Sequence, residues 1–204
     1  ATKKLTSFGL EVESKVFPGD ISDEAFKKEF AAINADASVD GILMLRPLPK
    51  QINEQDIEKM IDPAKDLDGI SPVNIAKVFS GDTSGFAPCT AEAVVCMLKM
   101  NDIALSGKRV AVVGRSMVVG RPLSMLLLHE NATVTICHSR TASLPEVCRE
   151  ADILTACVGK AAMINHTYVK KDAVVIDVGI NVDENGKLCG DVDFADLEGT
   201  ASAA

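Results

Sequence analysis

The sequence predicts an α/β protein of two units, an N-terminal α/β unit followed by a doubly wound parallel sheet of Rossmann type. Three observations carry this. RVAVVG (109–114), ATVTICH (132–138), ADILTACVG (151–159) and AVVIDVGI (173–180) are four apolar segments of strand length. Strands that are apolar throughout are covered on both faces, which means a parallel sheet between helices. The connections between the first three carry helical patterns, while the last, KAAMINHTYVKKD, is shorter and irregular. Upstream, a strand-like LEVESKVF (10–17), a helical segment and a short apolar DGILMLRPLP succeed one another. That order predicts a parallel strand pair with a right-handed crossover.

Each element has its own signal. The opening ATKKLTSFG lacks Met and reads as the middle of a helix, so a trimmed piece is expected. Ser22 precedes SDEAFKKEFAAIN, in which Phe26, Phe30 and Ile33 recur at helical spacing. INEQDIEKMI reads as a second helix, and the prolines of RPLP halt the strand before it. DLDGISPVNIAKVFSGDTSGFAPCT is rich in Gly, Pro, Ser and Asp and reads as one long irregular loop, the kind of segment that carries function or disorder. Thr90 is the expected N-cap of AEAVVCMLKMN, and Ser106-Gly107 marks a break. The domains are therefore expected at 1–104 and 105–204.

Composition narrows the function. A net charge of −8 argues against a nucleic-acid or anionic-membrane partner, since those are held by surplus Lys and Arg. No apolar stretch approaches the roughly 18 residues of a membrane span, and the N-terminus lacks a signal-peptide layout. A cytoplasmic or organelle-matrix location is expected. The six cysteines show no CxxC spacing and several lie in apolar runs, so buried free thiols are expected, with no metal.

The chemistry concentrates at strand ends. VVGRSMVVGRP (112–122) sits where a strand hands over to a helix, so backbone N–H groups and the helix dipole face the end of the sheet. It departs from GxGxxG, with Ser116 in the place of the second glycine and Gly120 one residue late; alone it is equally a tight turn. At the end of the next strand, Cys137-His138-Ser139-Arg140 offers no acid for ribose hydroxyls. A hydroxyl and cationic groups there, with Arg115 nearby, favour the 2′-phosphate of NADP over NAD. His138 reads as structural. In the long loop, Asp68 beside Gly69 is either a turn residue or an acceptor for a ligand's N–H groups.

DGILMLRPLP, KDLDGISPVN, PCTAEA, GKRVAVVGRSMVVGRP, NATVTICHSRT, ADILTACVGK, VVIDVGIN and GKLCGDVDF, in this order, resemble the methylenetetrahydrofolate dehydrogenase/cyclohydrolase family over nearly the whole chain. The resemblance implies NADP-linked oxidation of 5,10-methylenetetrahydrofolate to the methenyl form, followed in many members by hydrolysis to 10-formyltetrahydrofolate. It implies a homodimer with folate between a substrate domain and a cofactor domain. Carried over, Gly114, Arg115 and Ser116 hold the cofactor's phosphates, Arg115 and Ser139 contact the 2′-phosphate, and Ile180 lies by the nicotinamide. Asp68 grips the pterin, with Met44, Leu45 and Arg46 as further substrate-binding positions. The family's catalytic lysine, eight residues before the glycine matching Gly9, falls on Ala1, and its glutamine falls on Leu45. Lys3 and Lys4 lie further along the helix and point elsewhere. The chain ends before the family's Pro-Gly-Gly-Val-Gly loop, so a piece trimmed at both ends is expected. A catalytically inactive folate or nucleotide binder, and a dehydrogenase of another pterin such as methylenetetrahydromethanopterin, are the alternative readings.

Overall fold

The computed structural model describes residues 2–202 of the chain. Its first half is helical: α1 (Thr2–Ser7), α2 (Asp23–Ala35), α3 (Glu54–Met60), α4 (Pro72–Ser80) and α5 (Cys89–Met100). Ser22 caps α2, its hydroxyl accepting from the Ala25 N–H at 3.2 Å. Phe26 and Phe30 on one face of α2 pack with Met44, Ile52, Ile57 and Ile61 to form a small core.

Four expectations for this half do not hold. Residues 10–17 form no strand, and Leu10 and Val16 are 52% and 86% exposed. DGILMLRPLP contributes only an isolated parallel bridge, Ile42 to Asp66, and alternates between a buried Met44 and an exposed Leu45. A strand is a pairing, and among the described residues neither segment finds a partner edge. The long loop in turn holds α4. Ser71 accepts from the Asn74 N–H at 3.1 Å, Pro72 occupies the first turn and Gly81 ends the helix with φ 77°. Thr90 lies inside the first turn of α5, whose cap is Pro88.

The second half follows the expected pattern. β1 (Arg109–Val113), α6 (Gly120–His129), β2 (Thr133–Cys137), α7 (Leu144–Arg149), β3 (Ile153–Ala156), a 3-10 turn (His166–Tyr168) and β4 (Val174–Asp177) build one parallel sheet of order β2-β1-β3-β4. Val110 and Val112 face a core completed by Leu123 and Leu127 of α6 and by Val94 and Leu98 of α5. Ala111 and Val113 face the other core, with Cys148, Ile164 and Leu197. Period-two alternation thus buries both faces of β1, whereas the edge strand β2, expected to be covered on both faces, keeps Thr133, Thr135 and Ile136 exposed because it has a neighbour on one side only. A hairpin of β5 (Asn181–Val182) and β6 (Leu188–Cys189) and a short α8 (Phe194–Leu197) complete the described chain.

No helix among the described residues is long and apolar enough to cross a membrane. All six cysteines are free, but Cys89 and Cys96 are exposed, so the expectation of buried thiols holds in full only for Cys137 and Cys148.

Candidate functional site

A cavity of about 380 Å³ opens between the two halves, lined on one side by Arg46, Glu58, Asp68 and Pro88 and on the other by Met117 and Val118 of the loop after β1. Asp68 is placed there by its neighbours. Asp66, fully buried, accepts from the N–H groups of Ile70 (3.0 Å) and Ser71 (2.8 Å) and from the Asn74 amide (2.9 Å), which fixes the turn that presents Asp68. Gly69 closes that turn with φ 61°, and a side chain on it would overlap the backbone of Ala87 and Pro88. Arg46 donates to Asp68 at 3.2 Å and to Glu54 at 3.4 Å, and lies 3.8 Å from Glu58. One cation thus faces three carboxylates, and burial first, then Glu54, hold the Glu58 carboxyl above its ordinary value.

Of the predicted substrate positions, Arg46 and Asp68 come together in this cavity. The side chain of Met44 sits in the core of the first half, and Leu45 is 72% exposed with no polar group to offer. Ala1 lies outside the described residues. Glu54, Glu58 and Asp66 escaped the sequence reading. The spacing of the two glutamates on one face of α3 was the available signal for the first two.

The loop after β1 is shaped by its glycines. Gly114 adopts φ 136° against Cys157 of the β3 end, and a side chain on Gly120 would overlap the backbone of Gly114. Among the described residues, the N–H groups of Arg115, Ser116, Met117 and Val118 make no hydrogen bond within the protein. The Ser116 hydroxyl accepts from Val119 N–H at 3.1 Å, and Arg121 braces the loop by donating to the Arg115 carbonyl at 3.1 Å. Free N–H groups at the start of a helix, beside an exposed Arg115, fit a diphosphate.

The turn after β2 is set by local bonds. His138 N–H donates to the Thr141 hydroxyl at 2.9 Å, and the Arg140 N–H donates to His138 Nδ1 at 3.1 Å. His138 is therefore a turn-forming residue, as expected, and leaves Ser139 and Arg140 exposed at the strand end. Ile180, past β4, is 84% exposed. At the end of β3, burial first and the Asp191 carboxylate second push the Cys157 thiol up to about 11, so it stays protonated at neutral pH.

Comparison with known proteins matches this arrangement half by half. Residues 1–68 match the tetrahydrofolate dehydrogenase/cyclohydrolase catalytic domain, and residues 88–204 match the NAD(P)-binding domain of the same enzymes. The bifunctional protein FolD of Clostridium kluyveri is 54% identical over 192 residues, covering 94% of this chain and 68% of that protein. The crystal structure of the bifunctional FolD methylenetetrahydrofolate dehydrogenase/cyclohydrolase of Campylobacter jejuni superposes with a TM-score of 0.96 at 36% identity, over 99% of this chain and 72% of that one. The Trypanosoma brucei FolD, complexed with NADP cofactor and inhibitor, superposes with a TM-score of 0.92 at 31% identity, over 99% and 71%. Matched in order by both domains of one kind of enzyme, and sharing its fold across nearly all the described residues, the chain belongs to the tetrahydrofolate dehydrogenase/cyclohydrolase family.

Proposed function

We propose that the protein is an NADP-dependent methylenetetrahydrofolate dehydrogenase of one-carbon metabolism, oxidising 5,10-methylenetetrahydrofolate to the 5,10-methenyl form. The observation that carries this reading is the shared cavity. The carboxylate suited to a pterin edge and the tip of the glycine loop line one space, so substrate and cofactor can meet there. NADP, when bound, supplies the hydride acceptor. The chain supplies positioning. Asp68 accepts from the pterin's N–H groups beside Arg46. Gly114, Arg115 and Ser116 hold the cofactor's phosphates, Arg115 and Ser139 take the 2′-phosphate, and Ile180 flanks the nicotinamide. Residues 1–104 form the folate unit and 105–204 the NADP unit, with α5 packing onto the sheet of the latter. The protein works as a cytoplasmic homodimer, without nucleic acid or membrane as partner.

Hydride transfer asks for alignment, whereas opening the methenyl product asks for a group that moves a proton. Leu45, at the family's glutamine position, cannot hydrogen-bond a lysine or a water, and Ala1 stands at the lysine position. General acid–base assistance typically contributes about 10²- to 10⁴-fold, so methenyl opening is expected near its background rate while NADPH forms. The test follows NADPH absorbance with methylenetetrahydrofolate and the decay of methenyltetrahydrofolate absorbance on the same preparation. Hydrolysis as fast as hydride transfer overturns the second expectation and makes Arg46→Ala the next variant. Asp68→Ala should lower folate-dependent turnover about 100-fold and leave NADP affinity unchanged. NADP binding without turnover would identify an inactive binder, and NADPH formation from methylenetetrahydromethanopterin alone would replace the substrate.

A further inference from the structure

The segment Gly190-Asp191-Val192 is tied by hydrogen bonds to the turns after both β3 and β4, at the cofactor end of the sheet. Asp191 is fully buried, and among the described residues no Lys or Arg pairs with it. Its carboxylate is held by N–H donors instead. Oδ2 accepts from Val158 (2.6 Å) and Gly159 (3.1 Å), and Oδ1 accepts from Lys160 (2.7 Å) and the Asn181 amide (2.9 Å). Three consecutive backbone N–H groups converging on one anion are a nest. Asp177, at the end of β4, answers from the other side. Its oxygens accept from the N–H groups of Gly179 (2.9 Å), Asp191 (2.9 Å) and Val192 (3.0 Å). A side chain on Gly179 would overlap the Asp191 carboxylate, and one on Gly190 would overlap that of Asp177. Each carboxylate therefore closes on the loop that carries the other.

The turns so locked are the ones that matter for a ring beside the sheet. In the order β2-β1-β3-β4, the chain runs from β1 to one side and then to the other, so ligands bind in the crevice past the ends of β1 and β3. Val158–Lys160 follows β3 directly. Ile180 stands between Gly179 and Asn181, both of which touch Asp191, and is 84% exposed. An apolar side chain held out to solvent between two anchored neighbours is a platform rather than a piece of core.

We propose that Asp191 is a positioning residue for hydride transfer: its buried carboxylate, locked from behind by Asp177, fixes the Val158–Lys160 and Gly179–Asn181 turns so that Ile180 holds the nicotinamide in line with the donor carbon. This rests on the reading of Ile180 as the nicotinamide's neighbour. Asp191→Asn preserves the shape of the side chain, but whichever oxygen becomes an amide group, two donors lose their acceptor. Because misalignment by about 1 Å costs about 10²-fold in rate, kcat for NADPH formation should fall about 10- to 100-fold. The KM for methylenetetrahydrofolate and the NADP Kd should stay within about threefold, since the phosphate loop is untouched.

The deciding measurement is a double-variant cycle of Asp191→Asn with Ile180→Ala, reading kcat, NADP Kd and the thermal midpoint of each protein. If Asp191 acts through Ile180, the double variant is no slower than about the slower single variant. Additive losses in kcat overturn the inference, as does a kcat loss in Asp191→Asn that merely follows its loss of folded protein. A slow Ile180→Ala beside an unimpaired Asp191→Asn overturns the inference alone. An unimpaired Ile180→Ala overturns the reading of Ile180 and the inference with it. Should Asp191→Asn fail to fold, Asn181→Ala removes only one donor from the lock, and the same cycle with Ile180→Ala decides by the same outcomes.

Discussion

The two halves of the protein satisfy their backbones by different means. In the second half, β1 pairs with β2 and β3, and β3 with β4, so the backbone answers itself strand by strand. In the first half the helices bond internally, strand pairing among the described residues is limited to the isolated bridge of Ile42 with Asp66, and side chains tie together the segments between helices. Asp66 gathers the 66–74 turn, Asn34 binds the Met60 carbonyl and the Asp62 N–H, Lys65 reaches the carbonyls of Asn34 and Asp36, and Gln51 those of Gly19 and Ile21. A ladder spreads its bonds over many residues; a hub concentrates them in a few. The first half should therefore be sensitive to single polar substitutions, and the second to its core and its glycines.

The sharpest way to break this comparison sets Asp66→Ala against Leu123→Ala, both fully buried. Removing Asp66 strands three donors, at about 1–3 kcal/mol for an unsatisfied buried group, so a loss of about 3 kcal/mol or more is expected. Leu123→Ala should cost about 2–5 kcal/mol through its cavity. Denaturant midpoints at constant m-value measure both, and an Asp66→Ala loss below about 1 kcal/mol would show that the first half does not depend on its hub.

A second contrast concerns ligands. Arg115 is exposed and makes no side-chain hydrogen bond within the described protein, so its substitution should leave stability alone and act on the cofactor. Arg115→Ala should weaken NADP by about 1.5–3 kcal/mol and NAD hardly at all, because only the former carries the 2′-phosphate. Equal losses for both, by calorimetry, would remove Arg115 from that role.

The smallest effect belongs to Cys157. Its thiol is raised from 9.0 to about 11, so its contribution to stability is full below pH 9 and is lost as pH rises through about 11. Cys157→Ala should remove that part of the alkaline decline. In the wild-type protein at pH 8, iodoacetamide should label the exposed Cys96 well before Cys157, as peptide mapping will show.

The same contrast explains what was legible in the sequence. β1 and β3 could be read because a run buried on both faces is apolar in any context, β2 and β4, though only partly covered, because their β-branched residues favour a strand, and α2 because its phenylalanines repeat at helical spacing. LEVESKVF has the composition of a strand, but composition does not supply a partner, and the segment pairs with no strand among the described residues. α4 was concealed by its own punctuation: Ser71, Pro72 and Gly81 resemble loop residues until they are seen as cap, first turn and terminator. At the site, Asp68, Arg115 and Ser139 stood out as motif residues at segment ends. Glu58, Asp66 and Asp191 did not, because each acquires its meaning from groups elsewhere in the chain that only folding brings within reach.

The order of the sheet also bears on when the cofactor crevice comes into being. β1 reaches β2 through a single helix, but Val110 must find Ile153 across all of α6, β2 and α7 before the crevice has two walls. Pairings so distant in sequence close slowly and late. A transition state that lacks the β1–β3 pairing has nothing for NADP to grip. Cofactor should therefore leave the refolding rate unchanged and slow unfolding, lengthening the lifetime of a molecule already folded rather than hastening the birth of a new one.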